Sequence, residues 1–96
     1  GMFDPMWDIA TLCLTLQLTE EEELFFLKHY LERDPMEEEM QRILLHKIFQ
    51  DYLWALWTIY KEEKGIDYGS LARERMNRAK KNISIYEKTY NYDNVG

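Results

Sequence analysis

The stretch at 51–64, DYLWALWTIYKEEK, lies in the longest apolar-periodic segment of the chain when placed on a helix at 100° per residue. Leu45, Ile48, Phe49, Tyr52, Leu53, Leu56, Ile59 and Tyr60 then share one broad arc. An arc that wide is expected to be gripped by more than one neighbouring helix, so this is read as a central helix over about 36–64. Trp54 and Trp57 fall off the arc, one turn apart, on a side shared with Lys47, Gln50, Asp51 and Lys61. Two readings of that pair stay open. Aromatics on a half-polar side with a carboxylate beside them suit a wall for a cationic ligand. Aromatic stripes are more often core, packed under another helix or a partner.

The flanking segments use helix grammar too. Asp4-Pro5 is a start signal, a side-chain acceptor at the cap followed by proline at the first helical position. Met6, Trp7, Ile9, Ala10, Cys13, Leu14 and Leu16 follow at near-helical spacing, although the Thr/Leu alternation from Thr11 to Leu18 also suits a strand. Thr19 and Glu22 form a capping box, and Glu20 to Glu23 face the positive end of the helix dipole. The dipole accounts for those four glutamates without a metal. Leu24, Phe25, Phe26, Leu27, Tyr30 and Leu31 are the expected buried side of this second helix.

Asp34, Pro35 and Glu37 repeat the cap, first-position and capping-box pattern for the central helix. Its end is expected at Lys64-Gly65, with glycine left-handed and Ile66 folding back. The last helix carries Leu71, Ala72, Met76, Ala79, Ile83 and Tyr86 or Tyr90 as a narrower stripe. Arg73, Arg75, Arg78, Lys80 and Lys81 read as a face that pairs with the acidic helices. The expected architecture is all-α, a small bundle of about four helices at about 5–17, 19–33, 35–64 and 68–90. It forms a single helical domain over 1–96, with a frayed tail at 91–96.

Composition narrows the function. The net charge of -6 and pI near 4.9 argue against nucleic-acid binding, including through the cations between Arg73 and Lys81. No apolar run reaches the roughly 18–20 residues of a membrane span, and no signal peptide is visible where Asp4 and Asp8 interrupt the start. The lone Cys13 reads as a buried small hydrophobe, which fits a reducing cytoplasm. Gly1 before Met2 reads as an expression remnant. His29 and His46 stand isolated, Ser70 and Ser84 lack a nucleophile elbow, and no metal or phosphate-loop motif occurs. The residues alone therefore indicate no catalytic or metal site.

Trp54-Ala55-Leu56-Trp57-Thr58-Ile59-Tyr60-Lys61, the Gly65-to-Gly69 turn and Arg75-Met76-Asn77-Arg78-Ala79-Lys80-Lys81 resemble the C-terminal end of choline/ethanolamine kinases. The bacterial choline kinases that feed phosphocholine to cell-surface glycans are the nearest in look. Phe3-Asp4-Pro5-Met6-Trp7-Asp8-Ile9-Ala10 is similar to the family's N-D-P-x-x-D-L-A segment, and Thr19 to Leu31 to the acidic helix after it. The resemblance covers nearly the whole chain. Its W-x-x-W segment is fairly specific and its acidic helix is not.

The resemblance implies an ATP-dependent phosphotransferase fold related to protein kinases and aminoglycoside phosphotransferases, of which this is the helical end of the C-terminal lobe. It assigns Trp54 and Trp57 to an aromatic cage for a quaternary ammonium, with Tyr68 nearby. It gives Asp8 a structural role behind the catalytic loop. A further aromatic that often stands just before the position of Ala72-Arg73 is here Leu71. The family's ATP lobe, its H-x-D-x-x-x-x-N loop and its magnesium-holding D-x-E segment would all precede Met2. ATP and magnesium are therefore expected only in a longer parent, and this chain alone is expected not to be an enzyme. Two functions follow as expectations. One is a catalytically silent fragment that binds choline or a similar amino alcohol weakly. The other is a stand-alone helical protein whose uncovered apolar surface is met by a second copy or by the absent kinase parts.

Overall fold

The computed structural model describes residues 4–90. Phe3 and the tail expected at 91–96 lie outside them. The described residues form four α-helices and no strand: α1 (Pro5–Leu16), α2 (Glu20–Leu31), α3 (Glu37–Glu63) and α4 (Leu71–Tyr90). The all-α expectation with one long central helix holds. At 1.5 Å per residue, the 27 residues of α3 extend about 40 Å.

The helix ends show why the elements stop where they do. Asp4 caps α1, its Oδ1 accepting from the Met6 amide at 3.0 Å, and Pro5 takes the first position. Gln17 ends α1 in the left-handed region at φ 53. The Gln17 amide donates to Leu14 and the Leu18 amide to Cys13, so two carbonyls of the last turn are met. Thr19 and Glu22 make the expected reciprocal capping box, at 3.2 and 2.9 Å. Gly65, at φ 96, closes α3 as expected: its amide donates to Glu62 and that of Ile66 to Lys61.

Two helix starts differ from expectation: α4 opens at Leu71 rather than at about 68, and α3 also opens late. α3 begins at Glu37, two residues after Pro35, and Met36 occupies the cap position, its carbonyl accepting from Glu39 and Met40. Glu39 rather than Glu37 reaches back to the cap amide, at 2.8 Å from the Met36 nitrogen. The shift follows from Arg33, whose guanidinium grips Glu39 at 2.9 and 2.7 Å and also donates to the Asp34 carbonyl. The Arg33 hydrogen bonds, then the Met36 amide, lower the Glu39 carboxyl from an ordinary 4.5 to about 2. A depressed carboxylate contributes stability that is complete above pH 4.5 and is lost as the pH falls through 2. Glu39→Gln is therefore expected to lower stability at neutral pH. It should also flatten the acid limb between those values, read as urea midpoints against pH. An acid limb of unchanged slope would count against the Arg33–Glu39 pairing.

Two compact units divide the chain, residues 1–47 and 48–96, with α3 contributing to both. In the first unit, Met6, Ile9, Ala10 and Cys13 of α1 pack with Leu27 of α2 and Ile43 of α3, and Leu18 and Leu31 lie partly buried against them. Cys13 is buried as expected, and loss of water together with nearby Glu23 pushes its thiol up to about 11. Such a thiol stays protonated and inert at neutral pH. The buried side expected for α2 is narrower than the six residues named. Leu27 alone is buried and Leu31 half-buried, while Leu24, Phe25, Phe26 and Tyr30 are exposed. The helix meets its neighbours along one i, i+4 line, which Glu23 extends by accepting from Lys47 at 2.7 Å.

In the second unit the expected burial of α3 is reversed. The arc residues Phe49, Leu53, Leu56, Ile59 and Tyr60 are exposed, as is Leu45 of the same arc in the first unit. The buried side of α3 carries Gln50, Asp51, Ala55 and Thr58, and that of α4 carries Ala72, Ala79 and Asn82. Small side chains let two helices approach closely, and Asp51 and Thr58 find hydrogen-bond partners across or within the helices. The Thr58 hydroxyl, for example, donates to the Trp54 carbonyl at 2.7 Å. The stripe expected on α4 corresponds, with Leu71, Met76, Ile83, Tyr86 and Tyr90 half-buried beside Ala72 and Ala79.

Candidate functional site

Asp51 organises the second unit around the two tryptophans. Its carboxylate is fully buried and accepts from Arg78 Nε at 2.8 Å and Arg78 Nη2 at 2.7 Å. Arg75 Nη1 adds a longer contact at 3.4 Å. The cations of α4 thus separate by position: Arg75 and Arg78 turn toward α3, while Arg73, Lys80 and Lys81 are exposed. The carboxylate expected beside an open aromatic wall is therefore committed to two guanidiniums.

Trp54 and Trp57 project from α3 one turn apart, 47% and 42% exposed, and meet edge to face with ring centroids 5.4 Å apart. They are neither under another helix nor in the core. Tyr68 approaches Trp57 with centroids 5.8 Å apart. Its position is set by the connection between α3 and α4. Gly65 and Gly69 both take positive φ, the Asp67 carboxylate accepts from the Gly69 amide at 2.7 Å, and the Leu71 amide donates to the Tyr68 carbonyl. The three residues named as a cage are thus brought together on one surface of one unit. Two cations of the same chain lie over it, Lys61 Nζ at 5.4 Å from the Trp57 centroid and the Arg75 guanidinium carbon at 5.7 Å from that of Trp54.

Asp8 lies in the first unit, exposed on the first turn of α1. The histidines are not isolated. His46 Nε2–H donates to Asp4 Oδ2 at 2.8 Å, its ring meets Trp7 at 5.3 Å, and Arg42 Nε stands 3.2 Å from the same carboxylate oxygen. The His46 hydrogen bond above all, helped by the Met6 amide and Arg42, holds the Asp4 carboxyl below its ordinary value against the opposing effect of burial. Asp4 thereby ties the start of α1 to α3, a structural use of all three groups. The separation of 42 positions between Asp4 and His46 hid the pair from a local reading. His29 Nδ1–H donates to the Phe25 carbonyl one turn back. Among the described residues no group of three or more His, Cys, Asp or Glu is placed to hold a metal ion. No helix among them is long and apolar enough to cross a membrane.

Over 85 residues, 82% of this chain, the sequence is 33% identical to Protein LicA of Haemophilus influenzae strain Rd. The chain resembles LicA. A second Haemophilus influenzae LicA matches at the same 33% identity. These matches span 32% and 25% of the two proteins, so the chain covers about a third of their length or less. Among solved structures, that of LicA in complex with AMP matches with a TM-score of 0.74 and 42% sequence identity, over 86% of this chain and 29% of that one. The likeness is therefore to part of a larger protein. No protein-family model matches the sequence.

Proposed function

We propose that this chain is the substrate-side helical part of a choline/ethanolamine-kinase-like phosphotransferase, silent in phosphoryl transfer by itself. Similarity to LicA supports the choline-kinase-like origin. The observation that carries the substrate-side reading is the exposed Trp54–Trp57 pair with Tyr68 drawn up to it. Ring faces so arranged attract a quaternary ammonium through their quadrupoles, the interaction that choline-type ligands use. The sequence holds neither the H-x-D-x-x-x-x-N loop nor the D-x-E segment of the resembled kinases, so it lacks both a base for the hydroxyl and ligands for magnesium. ATP and magnesium belong, in this reading, to a longer protein, and Asp8 supports that protein's catalytic loop from behind. Binding of choline or a related amino alcohol by the chain alone is weak, because an open wall of three rings gives little enclosure.

Titration with choline chloride, followed by tryptophan fluorescence, tests this directly. A small saturable change is expected, and Trp54→Ala should abolish it. A response that survives that substitution intact removes the assignment.

A second reading rests on a separate observation. Phe49, Leu53, Leu56 and Tyr60 lie on one side of α3 and are all more than half exposed. Exposed apolar faces of that kind favour association, and a second copy is the simplest cover for a stand-alone helical protein. Light scattering showing a strict monomer at high micromolar concentration would count heavily against it.

A further inference from the structure

The aromatic cluster already carries cations from its own chain, and they are held in different ways. Arg75, over Trp54, is tied to the buried Asp51 carboxylate, which Arg78 also grips. It is a fixed part of the wall. Lys61, over Trp57, has no ion-pair partner among the described residues, and its ammonium sits at the end of a flexible stem one turn along α3 from that ring. Both side chains that lie over the rings are thus cations, and the one carboxylate bonded to Arg75 is shared with Arg78.

Resting on the cage reading above, we propose that Lys61 is the internal occupant of the Trp57 ring face and sets the affinity of the site for external cations. A quaternary ammonium needs to come within about 6 Å of the ring centroid, the place Lys61 Nζ now holds at 5.4 Å. Two like charges at that separation repel, so the incoming cation binds only as the lysine swings out to water. The ligand gains a ring contact while the protein loses one, and this exchange keeps affinity low. Removal of the Lys61 charge leaves the ring face free and lowers the local positive potential.

Choline chloride titrations of the 96-residue chain, with tryptophan fluorescence as readout, test the exchange. The unsubstituted chain, Lys61→Ala and Lys61→Gln are compared at two fixed ionic strengths. Alanine suits a helix interior, and glutamine keeps most of the stem, so a folding defect in one does not silence the test. The expected result is choline binding about three- to tenfold tighter in both variants. Because salt screens the repulsion by Lys61, the advantage of both variants over the unsubstituted chain should be smaller at high salt than at low. Equal affinity in all three chains overturns the role of Lys61 and leaves the cage reading standing. Weaker binding in the variants overturns it as well, since Lys61 would then be holding the site together. Absence of binding in all three overturns the cage reading and the proposal with it.

Discussion

Asp51→Asn is expected to destabilise the protein by about 3–5 kcal/mol, the usual loss when one partner of a buried charge pair is removed. The carboxylate is fully buried and spans both the Nε and Nη2 donors of Arg78, with Arg75 at its edge. An amide presents one acceptor and two donors where two acceptors are required, and it leaves the guanidiniums without a counter-charge. Urea unfolding followed by both far-UV circular dichroism and tryptophan fluorescence measures the effect. The fluorescence change should be the more telling, because Arg75 also covers Trp54. The double variant Asp51→Leu, Arg78→Met should recover much of the loss, since apolar groups of similar volume often replace such a pair at little cost. A loss below about 1 kcal/mol in the single variant would mean that Asp51 is not the counter-charge that joins α4 to α3.

Leu27→Ala carries the second large effect, a loss of about 2–5 kcal/mol. Leu27 is the one fully buried residue of α2 and lies among Met6, Ile9, Ala10, Cys13 and Ile43. Truncation opens a cavity at the only core contact that α2 makes with full burial, so a fall in helix content should accompany the loss. Phe25→Ala, two residues away on the exposed side, removes more atoms yet should change stability by no more than about 0.5 kcal/mol. The contrast between the two separates burial from hydrophobicity. Equal effects, read as urea midpoints at one pH, would show that α2 packs by a different face.

These two cases also show how far a local reading goes. Helix grammar was legible because capping is local. Asp4-Pro5, the Thr19–Glu22 box and the Gly65 closure each involve groups within five residues of one another, and all three formed as their sequences indicate. The start of α3 departed from the pattern because Arg33 chose Glu39 over the nearer alternatives, a competition among several carboxylates that spacing alone does not rank. The His46–Asp4 contact was hidden for a simpler reason: it joins residues on different helices.

What the sequence determined by itself was the set of helices, their approximate ends and which side chains share a face. Periodicity acts through the fixed 3.6-residue turn, and that geometry is the same whatever surrounds the helix. The tertiary structure alone decided which face is covered. On α3 the apolar arc of Phe49, Leu53, Leu56 and Tyr60 is exposed, while Asp51, Ala55 and Thr58 are buried. Amphipathic pattern predicts burial only where a partner of matching shape exists. α4 offers a narrow line of small residues and two arginines, which fits a small, acidic groove better than a broad apolar one. The same pairing leaves Trp54 and Trp57 outside the core, beside Tyr68 and under Lys61 and Arg75. Their exposure was therefore a consequence of where the Asp51–Arg78 contact forms, across 27 residues of chain.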